Sequence, residues 1–331
     1  YYEQIAGDEL ATCMAPKGES NVLFIKAGDG YYLKTITVDG SFSSGVKLLH
    51  SGGDFNAEGM QFLSGQDFLV YGEMDGVPAW ARVNENGGFT IKTLTNESGR
   101  VYDVVKKNDR FVMCGEILRA NDKQILLMNV DLSTYDWKDT ASIGTTQNDG
   151  AVDLLELKNG HMVMLCYTYG GPSGDRDYAL YEFDEAMKNI RYVEGGGPGY
   201  DQPEMLLEMN GNLYVCGHTT SFGDPNHDAY ILSLKQSDWK LNWEKAVKLD
   251  GHEGADFIAD AGNGEIALCS YASMNPTRGG YYLRMHENGT VLYQEKFTQF
   301  ERFYQLRCYS DRIAFLGQIR NQDLDVAVHF K

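Results

Sequence analysis

A short apolar run recurs seven times along the chain. In order the copies are VLFIKA from Val22, FLVYGE from Phe68, FVMCGE from Phe111, VMLCYT from Val163, LYVCGH from Leu213, IALCSY from Ile266 and IAFLGQ from Ile313. Their fourth positions hold Ile25, Tyr71, Cys114, Cys166, Cys216, Cys269 and Leu316, at successive spacings of 46, 43, 52, 50, 53 and 47 residues. A nearly constant period of this size marks a stacked-repeat architecture in which loops absorb the variation. Each copy follows another apolar run and a tight-turn pair, as MLLEMNGN precedes LYVCGH. Each is followed by a third run such as AYILSL and in most units a more polar fourth such as WEKAVKL. Four short strands per unit, most apolar in the middle pair and joined by hairpin signals, describe one blade of a β-propeller. Helical repeats, coiled coils and doubly wound sheets fit poorly, because no long stretch sustains a 3.6-residue period.

The expected fold is therefore all-β: residues 1–331 as one seven-bladed β-propeller of four-stranded antiparallel blades. The seventh unit ends at Lys331 directly after its third run, without a fourth. The orphan segment YYEQI, Tyr1–Ile5, resembles LYQEKF, the fourth run of unit six. Residues 1–5 are expected to complete the last blade and close the ring, which removes the exposed sheet edges of an open array.

One unit carries a family likeness. GHTTSFGDPNHDAYILSL, Gly217–Leu234, resembles the repeat of uncharacterised bacterial β-propellers found in secreted proteins and surface lipoproteins of Gram-negative bacteria. The other six units share its strand order and only loosely its letters. The resemblance implies an extracytoplasmic location, in the periplasm or at the cell surface, and implies no particular activity. The serial Gly-His and Trp-Asp marks of WD40 repeats, kelch double glycines and sialidase boxes are missing.

Net charge is −18, from 47 acidic and 29 basic residues. Such a field repels phosphates and anionic lipid surfaces, so nucleic acid is excluded as a partner and the expected ligand is neutral or cationic. No run approaches the ~18 apolar residues of a membrane-spanning helix. A monomer is expected, with no cofactor and no metal.

Cys114, Cys166, Cys216 and Cys269 occupy one column in four successive units. Packed sheets stand about 10 Å apart, whereas disulfide-bonded Cα atoms lie within about 7 Å. The column reads as buried free thiols. Cys13 and Cys308 fall on first strands of units that ring closure would make neighbours, so one bridge there stays open.

The first strands begin with acids: Asp103, Asp153, Glu204 and Asp256, with Gln305 in the last unit. Glu58, Asp149, Asp201 and Glu253 lie in the loops that lead in. Phe55, Arg100, Tyr102, Tyr200, Arg302, Phe303 and Tyr304 share the same ends. Aromatic faces beside carboxylates and arginine suit sugars, which stack on rings and are fixed through their hydroxyls. Capping of the turn into each first strand is the competing reading for the acids. The expected ligand-binding set is Tyr102, Asp103, Asp153, Tyr200, Asp201, Glu204, Asp256, Arg302 and Tyr304. His218, His227 and Asp224 of one hairpin are a weaker candidate for a divalent ion. The functional expectation is a non-catalytic binding propeller for a glycan or protein. The alternative is a glycoside hydrolase or lyase using two of the carboxylates.

Overall fold

Turn chemistry sets the hairpins. Between the first two strands of the fifth unit, Asn210 and Gly211 take φ of 51° and 75°. These left-handed values suit the tight turn that joins twisted antiparallel strands. The computed structural model describes residues 2–4, 9–37, 40–50, 52–171, 173–184, 186–222, 226–248, 251–274, 277–310, 313–319 and 326–330. Tyr1, Ile5 and Asp224 lie outside them. The described residues are all-β, without helix, and build the four-stranded antiparallel blades of a β-propeller. None of them forms a helix long and apolar enough to cross a membrane.

Contacts group the chain into two compact units, mainly Tyr1–Ala151 and Val152–Gln322. The sheets of the first begin at Glu9, Phe55 and Ser98; those lying wholly or mostly in the second begin at Asp149, three residues before its start, and at Asp201, His252 and Phe300. In the last sheet of the second unit Val326–Phe330 is followed by Ile313–Ile319 and Phe300–Cys308.

Burial explains the composition of each strand. Met162–Thr168 and Asp177–Phe183 are buried at every position, whereas Asn189–Gly195 in the same sheet has no buried residue. A middle strand covered by sheets on both faces reads as a continuous apolar run, and the edge strand meets water. The cores form between successive sheets. Phe24, Phe55 and Phe68 pack in one such layer; Cys269, Phe300, Phe303 and Phe315 pack in another. Phe55 and Phe303, grouped by sequence with the candidate ligand residues, are fully buried here. All six cysteines are free, Cys13 and Cys308 included.

Pairing between first and second strands slips by one residue in five sheets. The slips fall between Ala11 and Cys13, Ala57 and Gly59, Val101 and Asp103, Pro203 and Met205, and Phe303 and Gln305. Each is a β-bulge that leaves one residue outside the ladder: Thr12, Glu58, Tyr102, Glu204 and Tyr304. A bulge re-aims a side chain while the strand continues. Across from four of the bulges stands a glycine. A Cβ on Gly72, Gly115 or Gly217 would lie 2.0, 2.0 or 1.9 Å from the carbonyl oxygen of Asn56, Arg100 or Gln202, and on Gly317 2.6 Å from that of Arg302. Only a hydrogen fits there.

Two expectations are corrected. Six sheets, not seven, are four-stranded; the sheet from His252 to Phe297 has five strands, because His252–Glu253 and Phe257–Gly262 both pair with Glu265–Met274. In that sheet Ser270 occupies the position that is glycine in four other sheets. The first strand is split opposite it, and the small residue on that side is Gly254, where a Cβ would stand 2.7 Å from Ser270 Oγ. Gly254, Ala255 and Asp256 then oppose Ser270 and Tyr271, again one residue in excess, and Asp256 takes the place of the bulge residue. The second correction is to the repeat column. The bulge at Thr12 pairs Cys13 with Phe24, so Phe24 and not Ile25 corresponds to Tyr71, Cys114 and Cys216.

Candidate functional site

In the second unit the bulges bring chemistry together. Glu204 leaves the ladder of its sheet, and His218, two strand positions past Cys216, meets it with Nδ1 3.8 Å from Glu204 Oε1. Asp256 of the following sheet completes a group whose ligating atoms all lie within 4.8 Å of one another. Arg302 Nε and Nη2 both donate to Asp256 Oδ2, at 2.9 and 2.6 Å, and the Ser270 hydroxyl donates to the same oxygen.

Aromatic rings flank this group on both sides. On one side the Tyr200 ring stacks on His218 at 5.7 Å, and the Arg176 guanidinium sits 4.2 Å from the Tyr167 ring centroid and 5.2 Å from those of Tyr169 and Tyr200. Arg176 Nη1 donates to Gln202 Oε1, which also accepts the Tyr200 hydroxyl at 3.2 Å; Arg176 Nε is buried without a hydrogen bond. On the other side Arg302 lies 5.4 Å from the Tyr271 ring and 5.7 Å from that of Tyr304, and Arg278 lies 4.3 Å from Tyr271. Such stacking holds a guanidinium in place while leaving its edge for hydrogen bonds.

Electrostatics at the centre follow from burial. The Glu204 side chain keeps 29% of its surface, yet its neighbours strip most of its water. Desolvation, reinforced by the charge of Asp256, pushes its carboxyl up to about 8. Burial, with His227 and the arginines adding to it, holds His218 down to about 3. Burial thus acts the same way on both groups, favouring the uncharged carboxyl and the uncharged imidazole. Desolvation also raises the phenols of Tyr200, Tyr271 and Tyr304.

Of the residues that sequence singled out, Tyr200, Glu204, Asp256, Arg302 and Tyr304 meet in this group. Asp201 does different work. It accepts the Gly197 N–H at 2.5 Å and the Ser221 hydroxyl at 2.7 Å, pinning the glycine-rich loop to the hairpin opposite. Asp153 Oδ2 accepts the Leu206 N–H at 2.6 Å across neighbouring sheets. His227 stands 5.0 Å from His218, ring to ring, as their shared hairpin suggested. Arg176, Tyr167, Tyr169, Tyr271 and Arg278 were not foreseen; they come from second and third strands and the loops between them.

The first unit holds a related but separate arrangement. Arg100 Nη1 donates to Glu58 Oε1 at 2.7 Å, and its guanidinium lies 5.8 Å from the Tyr102 ring. Arg100-Val-Tyr102 thus repeats Arg302-Phe-Tyr304: an arginine reaches back to the bulge acid of the preceding sheet, and its own bulge tyrosine covers it. Asp103 Oδ1 accepts the Tyr71 hydroxyl at 2.9 Å. A cavity of about 630 Å³ opens beside the bulge residue Thr12, lined by Leu10, Lys26, Asn56 and Ala57 among others.

No family model matches the chain, and no curated protein matches it. Among solved structures it is similar to a protein of unknown function from Bacteroides caccae, with a TM-score of 0.47 and 14% identity over 72% of this chain and 81% of that one.

Proposed function

We propose that the chain is a non-catalytic, extracytoplasmic binding propeller that recognises a glycan through the Tyr200–Glu204–Asp256–Arg302–Tyr304 group of its second unit. We take it as a single seven-bladed ring, counting the five-stranded sheet as a blade with a split first strand, closed by residues 1–5. The observation that carries the functional reading is the alternation of tyrosine faces with fixed hydrogen-bonding groups. Arg176 among three rings and Arg302 between two lie on either side of Glu204, His218 and Asp256. Sugar rings stack on aromatic faces, and their hydroxyl pairs need immobile donors and acceptors of this kind. The acidic field of the whole chain favours a neutral glycan over a polyanion.

The test is a glycan array followed by calorimetry on wild type, Tyr200→Ala and Tyr304→Ala. A neutral oligosaccharide should bind wild type and lose at least about tenfold in affinity in each variant, as expected when a buried aromatic contact is removed. Tight binding of a sulfated or uronic-acid polymer, indifferent to both changes, overturns the assignment.

One observation favours a second reading. Carboxylate oxygens of Glu204 and Asp256 lie within 4.8 Å, near the ~5 Å separation of the paired carboxylates in retaining glycosidases. Release of product from chromogenic glycosides by wild type, abolished in Glu204→Gln, selects that enzyme reading instead.

A further inference from the structure

We infer that Glu204, His218 and Asp256 form a binding site for one divalent transition-metal ion of the zinc or manganese kind. Their ligating atoms stand within 4.8 Å of one another, and the Glu204–His218 pair is at 3.8 Å. Ligands about 2.1 Å from a shared ion are themselves roughly 3–4 Å apart. A side-chain shift of about 1 Å thus closes the set without moving backbone. One imidazole and two carboxylates are the donors that borderline divalent ions select.

Two independent details point the same way. His218 Nδ1 is a buried atom with no hydrogen-bond partner, and it faces Glu204. Such an atom is costly unless something takes its lone pair or its proton. The ring cannot swing away, because Tyr200 stacks on it and His227 lies against it at 5.0 Å. Second, the bonds that Arg302 and Ser270 make to Asp256 all converge on Oδ2, which orients the carboxylate and leaves Oδ1 for an ion; metal-ligating carboxylates are held by outer hydrogen bonds in this manner. Three protein ligands leave open positions, so a bound ion also offers a coordination site to water or to hydroxyls of a ligand.

The inference does not rest on the glycan reading, because metal is measured alone. Full-length protein is stripped with chelator, loaded separately with Zn²⁺ and Mn²⁺, freed of excess and analysed for metal by mass spectrometry. Co²⁺ loading gives a visible spectrum that reports nitrogen and oxygen ligation. One equivalent of Zn²⁺ or Mn²⁺ is expected in wild type. Affinity should fall at least about tenfold in His218→Ala and in Glu204→Gln, with His286→Gln, a histidine remote from the group, unchanged. Each variant's metal-free melting curve separates lost ligation from lost folding. Absence of stoichiometric metal in wild type overturns the inference whatever the variants do, and so does a folded His218→Ala that binds as wild type does. Glycan binding that persists in metal-free protein leaves the glycan reading standing if this one falls.

Discussion

Replacing Gly217 by alanine tests the bulge directly. The new Cβ would lie 1.9 Å from Gln202 O, 2.9 Å from its carbonyl carbon and 3.1 Å from Pro203 Cα, all backbone atoms that no rotamer change can clear. Real Cβ atoms essentially never come within 3.0 Å, so the two strands must part by roughly 1 Å, enough to break a hydrogen bond near its ideal length. Gly217 O also accepts the Ala255 N–H of the neighbouring sheet at 3.1 Å, and that contact goes with the shift. Two backbone bonds at about 1 kcal/mol each, with overpacking at about 1–2 kcal/mol, give a loss of about 3–4 kcal/mol. For a chain of 331 residues that is a fall in melting temperature of roughly 4–6 °C. Gly211→Ala is the matched control: φ is +75° but nothing lies within 4 Å of its Cβ, so only backbone strain of about 1 kcal/mol applies. Thermal melts followed by circular dichroism decide. If Gly217→Ala melts within about 1 °C of wild type, or Gly211→Ala costs more, the close approach across the bulge is not what holds this glycine in place.

Cys114, Cys166, Cys216 and Cys269, all fully buried, should resist alkylation until the protein unfolds, with Cys13, whose thiol burial pushes up to about 12, protected likewise; rapid native labelling of the column, or any bridge found by peptide mapping, contradicts the register. Deleting Tyr1–Ile5 should lower the melting temperature markedly if those residues close the ring, and a truncated protein that melts like its parent refutes closure. Burial raises the Glu58 carboxyl despite its contact with Arg100. The folded state therefore holds this proton more tightly, so the associated stability is fully present below the unfolded Glu value near 4.5 and is lost as pH rises through the raised one; carbon-detected NMR showing a Glu58 midpoint at or below 4.5 counts against this.

Much of the scaffold was legible because packing repeats. A strand covered on both faces must be apolar throughout, so VMLCYT and AYILSL announced themselves, and a thiol column followed from their alignment. The first-unit register was not legible. VLFIKA is apolar at both Phe24 and Ile25, and a one-residue slip changes no hydrophobic pattern there. The five-stranded sheet was hidden for a related reason: Ser270 for glycine is one letter, and Gly254, which packs against it, lies sixteen residues away between two short strands. In the site, Glu204, Asp256, Arg302 and Tyr304 could be read because they begin first strands. Arg176 could not, since nothing local tells an exposed loop arginine from one stacked on Tyr167, Tyr169 and Tyr200.

The bulge supplies the signal that sequence reading lacked, and it explains how the chain separates scaffold from site. A residue inside the ladder has its face fixed by alternation, so on a strand packed between sheets it must be apolar or small. The residue outside the ladder has no such duty. Thr12, Glu58, Tyr102, Glu204, Asp256 and Tyr304 accordingly have no chemistry in common, although the residues after them pair with Phe24, Tyr71, Cys114, Cys216, Cys269 and Leu316, apolar or aromatic in every case. The glycine that follows this paired position in FLVYGE, FVMCGE, LYVCGH and IAFLGQ marks the bulge on the opposite strand. Counting back from it locates the residue that leaves the ladder opposite, Glu204 among them, and Asp256, at the equivalent place beside Ser270, comes to the same group.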